Sequence, residues 1–129
     1  MKFRKGYKYQ LSEPCAIRVG LLGYKVKHEW FALEDGVLYI KRHFCWDGST
    51  GVEDTKSSMR ASAAHDCLYQ MLREGLLPQH RRKRCDKVYV DLCKEDGMTK
   101  FRSWIRLKGL FMFGRKSATG EPREILIAP

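Results

Sequence analysis

The chain has 129 residues, a net charge of +10 and an apolar content of 43%. This length is typical of one domain, and the apolar content excludes a chain that is disordered for lack of a core. The sequence has neither an apolar run of the roughly 20 residues that a membrane span needs nor an apolar signal-peptide segment, so we expect a protein made and kept in a cytoplasm.

The first third of the chain has the composition of β-strands. Aromatic and β-branched residues concentrate in four segments separated by turn residues, which predict strands at Tyr7–Leu11, Ala16–Leu22, Tyr24–Leu33 and Val37–Phe44. Asp35-Gly36, between the last two segments, is a strong hairpin signal, because both central residues of a tight hairpin turn need positive φ. The sequence therefore predicts antiparallel strands over about residues 1–45 and a loop over about residues 46–56.

The rest of the chain predicts helices. Apolar residues recur at helical spacing in three segments, at about residues 57–74, 79–96 and 99–114. Gly75 and Pro78 end the first helix, Gly97 ends the second, and Thr99 can cap the third. Because the first two helices are joined by a short turn, we expect them to form an antiparallel pair. The predicted fold is a single α+β domain, with a tail over residues 115–129.

The cysteines predict neither a disulfide framework nor a structural zinc site. They are odd in number and include no C-x-x-C pair. A free cysteine usually behaves as a small buried hydrophobe. We therefore expect buried thiols at Cys15, Cys45, Cys67, Cys85 and Cys93.

His65 lies on the apolar face of the first helix, between Ala61 and Leu68 at helical spacing. A polar group buried there without a partner costs roughly 1–3 kcal/mol. At 1.5 Å per residue, His65 and Asp86 each lie roughly 12–15 Å from the bend between the two helices, so a hydrogen bond between them is expected. Such a bond fixes the tautomer of the imidazole and raises its basicity, as a general base requires. The alternative is a purely structural pair.

Two further polar residues accompany His65 on the same helix. Tyr69 lies one turn further along on the same side. Asp66 points about 100° around the helix from His65, so it can face a loop or an ion.

Three segments of the chain, in this order, resemble a family of unknown function that is common in tailed phages. They are Phe44–Thr50, with Asp47-Gly48-Ser49, then Ala63–Tyr69, and then Cys85–Tyr89. The resemblance implies a phage or prophage accessory protein, made in the host cytoplasm and associated with the virion as a tail or neck component. Its partners would then be other phage structural proteins. The alternative is a structural or assembly component without catalysis.

His65-Asp66-x-x-Tyr69 followed by Cys85-Asp86 is also similar to the helix pair of the secreted calcium-dependent phospholipases of the A-two type. The resemblance implies that His65 activates water, that Asp86 orients His65 and that Tyr69 hydrogen-bonds the pair. It implies a calcium ion, which would bind Asp66, Asp47, Gly48 and Gly51. The cysteine-and-glycine calcium loop and the disulfides of those enzymes are missing here, so the resemblance is to the helix pair alone.

A third resemblance is to metal phosphohydrolases with an adjacent His-Asp pair. It would use His65, Asp66 and Asp86, with His43 or Asp47 as a further ligand. Asp86 follows too closely for that pattern.

The positive charge favours an anionic partner: nucleic acid, an anionic membrane surface or an acidic protein. A dense cluster at the start of the second helix is the predicted anion-binding surface, formed by Arg81, Arg82, Lys83 and Arg84. Arg102, Arg106 and Lys108 are expected to extend it. Phosphate contacts need only such a surface, but the sequence contains no recognised nucleic-acid-binding motif.

Overall fold

The computed structural model describes residues 9–46 and 59–119 of the chain. The strands and the helices belong to two compact units, called the strand unit and the helical unit. The predicted α+β class, with antiparallel strands followed by three helices, is confirmed. That the chain forms a single domain stays a prediction.

The strand unit contains two antiparallel sheets within residues 9–46. Their six short strands are β1 (Tyr9–Gln10), β2 (Cys15–Arg18), β3 (Val26–Lys27), β4 (Phe31–Glu34), β5 (Val37–Ile40) and β6 (Cys45–Trp46). Strands β2, β5, β4 and β3 form one sheet in that order, and β1 pairs with β6 in the other. The core of this unit lies on one face of the larger sheet, where Leu33 is opposite Leu38 and Phe31 is opposite Ile40.

The predicted hairpin at Asp35-Gly36 is confirmed as the connection between β4 and β5. Asp35 has φ of 51° and Gly36 has φ of 76°, as a two-residue turn of this type requires. The carbonyl oxygen of Gly36 accepts hydrogen bonds from the backbone N–H groups of Val19 and Gly20, at 2.8 and 3.0 Å. The turn therefore also holds the chain that leaves β2.

Replacing Gly36 with alanine is expected to lower the free energy of unfolding by about 1–2 kcal/mol, because the left-handed conformation strains a residue with a Cβ. Gly36→Asn is expected to cost less, since asparagine tolerates this conformation. Gly23→Ala measures the conformational strain alone, because φ is +86° there and no atom lies within 4 Å of the added Cβ, whereas a Cβ at Gly36 would also lie 2.9 Å from Cδ2 of Leu22. Urea denaturation measures all three. Equal stability of the wild type and Gly36→Ala would contradict the account of the turn.

Three predicted strands are shorter in the structure. The strand predicted at Ala16–Leu22 ends at Arg18, and turns interrupt the other two. Within the predicted strand Tyr24–Leu33, the backbone N–H of Trp30 donates to Nδ1 of His28 at 3.2 Å, which closes a turn between β3 and β4. The predicted strand Val37–Phe44 ends at Ile40, and a turn with His43 at φ of 75° leads into β6. Local side-chain-to-backbone bonding of this kind competes with strand pairing.

The helical unit contains three helices within residues 59–119, as predicted. They are α1 (Met59–Arg73), α2 (Arg82–Glu95) and α3 (Lys100–Thr119), and a turn of 3-10 helix at Gln79–Arg81 leads into α2. Helices α1 and α2 run antiparallel. Arg60 near the start of α1 binds Asp96 just after α2 through two hydrogen bonds, of 3.1 and 2.9 Å, while the middle of each helix meets the middle of the other.

Helix α3 begins where Thr99 was predicted to cap it and extends beyond its predicted end. The hydroxyl oxygen of Thr99 accepts a hydrogen bond of 3.3 Å from the backbone N–H of Arg102. The helix continues past Gly114 to Thr119. A glycine inside a helix costs roughly 1 kcal/mol but keeps its backbone N–H, so it does not by itself end the helix. The apolar run Ile125–Ile127 of the predicted tail lies outside the described residues.

Candidate active site

The middle of the α1–α2 pair brings His65 and Asp86 together, as the sequence predicts. Nε2 of His65 lies 2.8 Å from Oδ1 of Asp86. A carboxylate can only accept a hydrogen bond, so Nε2 carries the proton and the imidazole presents the lone pair of Nδ1. The antiparallel packing places these two residues at the same height, on facing sides of their helices.

Tyr69 joins the same carboxylate. Its hydroxyl donates to Oδ1 of Asp86 at 2.5 Å, so one carboxylate oxygen accepts from both α1 side chains. Burial first, and then the hydrogen bond to Asp86 and its negative charge, raise the pKa of Tyr69. The phenol therefore stays protonated and acts as a fixed donor, as its predicted role requires.

Arg82 completes the surroundings of Asp86. Its Nη1 lies 3.6 Å from Oδ2 of Asp86, one helical turn away on α2. Within the described residues, Oδ2 is buried and accepts no hydrogen bond, so this guanidinium is its nearest positive group. Asp86 has 0% exposure, and a charge buried so completely depends on its partners. The four side chains therefore form one coupled polar cluster, consisting of His65, Tyr69, Arg82 and Asp86.

The imidazole of His65 contacts two tyrosine rings and remains partly exposed. Its ring centroid lies 4.1 Å from that of Tyr69 and 5.4 Å from that of Tyr89. The side chain of His65 keeps 14% of its surface exposed, although Asp86 keeps none. Within the part of the chain that the structure describes, Nδ1 makes no hydrogen bond. The ring is thus held in one orientation with one nitrogen available.

A buried hydrogen bond connects Tyr89 to α3. Nη1 of Arg106 donates to the hydroxyl oxygen of Tyr89 at 2.7 Å. Arg106 was expected to extend the exposed basic surface, and that expectation is wrong, because the residue is buried between helices. The buried Arg106 fixes the hydroxyl end of Tyr89, while the ring of Tyr89 packs against His65.

The thiols of the helical unit lie buried beside this cluster without a chemical role in it. None of the five cysteines is in a disulfide, and the predicted burial is confirmed for Cys45, Cys67, Cys85 and Cys93, whereas Cys15 is only half-buried. Burial, followed by the charge of Asp86, raises the pKa of Cys85 to about 12. Burial also raises the pKa of Cys93. Both are therefore protonated thiols at neutral pH and poor nucleophiles.

Of the residues predicted to bind calcium, only Asp66 lies within the described part of the chain. Asp66 is half-buried on α1, next to His65. Asp47, Gly48 and Gly51 lie outside the described residues. Within residues 9–46 and 59–119, no three or more His, Cys, Asp or Glu side chains are grouped as a metal would need. Calcium binding therefore stays a prediction, and the same holds for the metal hydrolase that would add His43 or Asp47.

The structure divides the predicted anion-binding cluster. Arg81, Lys83 and Arg84 are exposed, whereas Arg82 turns inward and has 13% of its side chain exposed. Arg82 therefore forms an ion pair with Asp86 and is not part of the exposed basic surface. That surface, at the start of α2, consists of the other three residues.

Two residues that contact the pair were not predicted from the sequence. Arg82 turns inward to Asp86, and the ring of Tyr89 packs against the imidazole of His65. A signal for the first was present, because Arg82 and Asp86 have the four-residue spacing of a helical ion pair. The sequence marks Tyr89 only as the end of the segment Cys85–Tyr89 that resembles the phage family. No comparable signal marks its contact with Arg106, since that contact joins different helices.

No family model, curated protein or solved structure matches the chain. The resemblances to the phage family, the phospholipases and the metal phosphohydrolases therefore stay predictions, and the geometry of the cluster is the basis for the function proposed next.

Proposed function

We propose that the chain is an ester hydrolase in which His65 is the general base and Asp86 is its positioning residue. The observation that carries this proposal is the 2.8 Å contact between Nε2 of His65 and the fully buried carboxylate of Asp86. Donation from Nε2 to this carboxylate leaves Nδ1 as the basic nitrogen of a partly exposed side chain. A histidine held in this way suits proton transfer near neutral pH.

The proposed reaction follows from this arrangement. Nδ1 accepts a proton from a water molecule as the water oxygen forms a bond to the ester carbonyl carbon. The imidazolium that results is stabilised by the Asp86 carboxylate through Nε2–H. Collapse of the tetrahedral intermediate breaks the bond to the alcohol oxygen, and Nδ1–H returns the proton to that oxygen. Tyr69 and Arg82 hold the carboxylate in place throughout.

The substrate class and the biological setting are proposals from resemblance. The similarity to the phospholipases suggests a lipid ester, with calcium held near Asp66 to polarise the carbonyl when bound. The similarity to the phage family suggests an accessory protein that acts in or on the virion. Copurification with phage particles would support that setting.

Release of fatty acid from phospholipid vesicles tests the proposed reaction. We expect the purified wild-type chain to release fatty acid and lysophospholipid, detected by mass spectrometry, and we expect a calcium chelator to stop the release. Asp66→Asn is expected to weaken the dependence on calcium. Activity that persists in chelator would contradict the calcium prediction alone. No ester cleavage with any added divalent ion would contradict the hydrolase itself.

A second function is favoured by one specific observation. Asp86 has 0% exposure and lies at the centre of the helix pair, so the cluster also serves to fix the register of α1 against α2. Under this alternative the protein is a structural component of an assembly, and the cluster has no catalytic role. Intact stability together with an absence of turnover would favour it.

A further inference from the structure

Helix α3 buries two polar residues and exposes several large apolar ones, although Leu107 and Leu110 are half-buried on its inner side. Ser103 and Arg106, both polar, are buried against the other helices. Phe101 and Met112 are 70% and 73% exposed. A surface helix in water usually turns its apolar residues inward. The outward face of α3 is therefore suited to an environment other than water.

The exposed apolar residues of α3, together with Lys108, form one stripe. At 100° per residue, they fall within about a third of the helix circumference. The stripe consists of Phe101, Trp104, Ile105, Lys108 and Met112. Isolated exposed apolar side chains are common on proteins, but a continuous row of them marks an interaction surface.

The charged residues of α3 itself are all positive. The sequence of α3 contains Lys and Arg residues but no Asp or Glu. Lys100 and Arg102 flank the stripe, and Nζ of Lys108 lies 5.4 Å from the ring centroid of Trp104 within it. Aromatic and aliphatic residues combined with cationic neighbours are the composition of a helix that lies in a membrane interface.

We propose that α3 docks this protein on an anionic lipid surface, with the stripe inserted among the lipid headgroups and the flanking cations bound to phosphate. The negative charge of such a lipid surface complements the positive charge of α3. A second copy of the chain would instead bring the same positive charges to the interface. In the described parts of the chain, no helix is long and apolar enough to cross a membrane. The proposal is independent of hydrolysis at His65.

Tryptophan fluorescence reports this docking selectively. Of the three tryptophans, Trp30 and Trp46 are buried in the strand unit, whereas Trp104 is 54% exposed. Vesicles of ether-linked phosphatidylglycerol contain no ester bond, so binding to them does not depend on hydrolysis. We expect these vesicles to shift the emission to shorter wavelength and to sediment with the protein. We expect vesicles of ether-linked phosphatidylcholine to do neither at physiological salt.

Variants of exposed residues separate insertion from attraction by charge alone. Phe101→Ser with Ile105→Ser is expected to reduce the partition into phosphatidylglycerol vesicles by roughly tenfold or more, because apolar insertion contributes to the affinity. Lys108→Glu is expected to reduce it as well. Leu22→Ser is the matched control, because Leu22 is equally exposed but belongs to the strand unit, and it should bind as the wild type does.

Three results would overturn the proposal. The first is absence of binding to phosphatidylglycerol vesicles. The second is binding that the double serine variant leaves unchanged, which would indicate attraction by charge without insertion. The third is a lipid-free dimer that buries Trp104, detected by sedimentation together with the fluorescence shift, which would assign the stripe to a second copy.

Discussion

Replacing Asp86 with alanine is expected to lower the free energy of unfolding by about 3–5 kcal/mol, the usual cost of removing one partner from a buried charged cluster. The carboxylate has 0% exposure and is the shared acceptor of His65 and Tyr69. Its removal leaves those two groups without their acceptor and leaves the guanidinium of Arg82 without a nearby negative charge. Urea denaturation followed by circular dichroism measures the loss.

Asp91→Ala is the matched control for this variant. Asp91 lies on the same helix and also has basic neighbours, with Nζ of Lys87 at 2.8 Å and Nζ of Lys94 at 3.6 Å. Its side chain is 43% exposed, so its removal should cost at most about 1 kcal/mol. If Asp86→Ala proved no more destabilising than Asp91→Ala, the cluster would not be the coupled unit described here.

Asp86→Asn is expected to reduce the rate of ester hydrolysis by about 10²–10⁴-fold while the protein stays folded. The amide is close in shape to the carboxylate, but it carries no charge to stabilise the imidazolium, and its NH₂ group can donate to the ring and select the wrong tautomer. Initial rates of fatty-acid release, with the unfolding midpoint measured on the same preparation, check this result. Asp91→Asn should retain the wild-type rate, and a wild-type rate in Asp86→Asn would contradict the assigned role of Asp86.

The helix pair and its central contact are predictable from sequence because they depend on local features. Gly75 and Pro78 set the turn, and the constant rise of a helix then places His65 opposite Asp86. The hairpin at Asp35-Gly36 is predictable for the same reason, because few residue pairs tolerate two positive φ angles in succession.

Other features depend on contacts between distant segments and could not be read from a local pattern. The spacing of α3 indicates a helix but not which side faces the protein, and the burial of Arg106 depends on the hydroxyl of Tyr89 on α2. The ends of the strands in the structure also differ from the predicted ends. The turn at His28 depends on a side-chain nitrogen accepting a backbone hydrogen bond, which composition alone does not reveal.

The most direct test of the central claim is a double-mutant cycle on turnover, with the wild type, His65→Asn, Asp86→Asn and the variant that carries both substitutions. If His65 is the base and Asp86 acts through it, each single variant should lose most of the activity, and the double variant should be little slower than His65→Asn alone, because residues that act as a unit are not additive. Ester hydrolysis at the wild-type rate in folded His65→Asn would contradict the claim and leave the pair as a structural contact between α1 and α2.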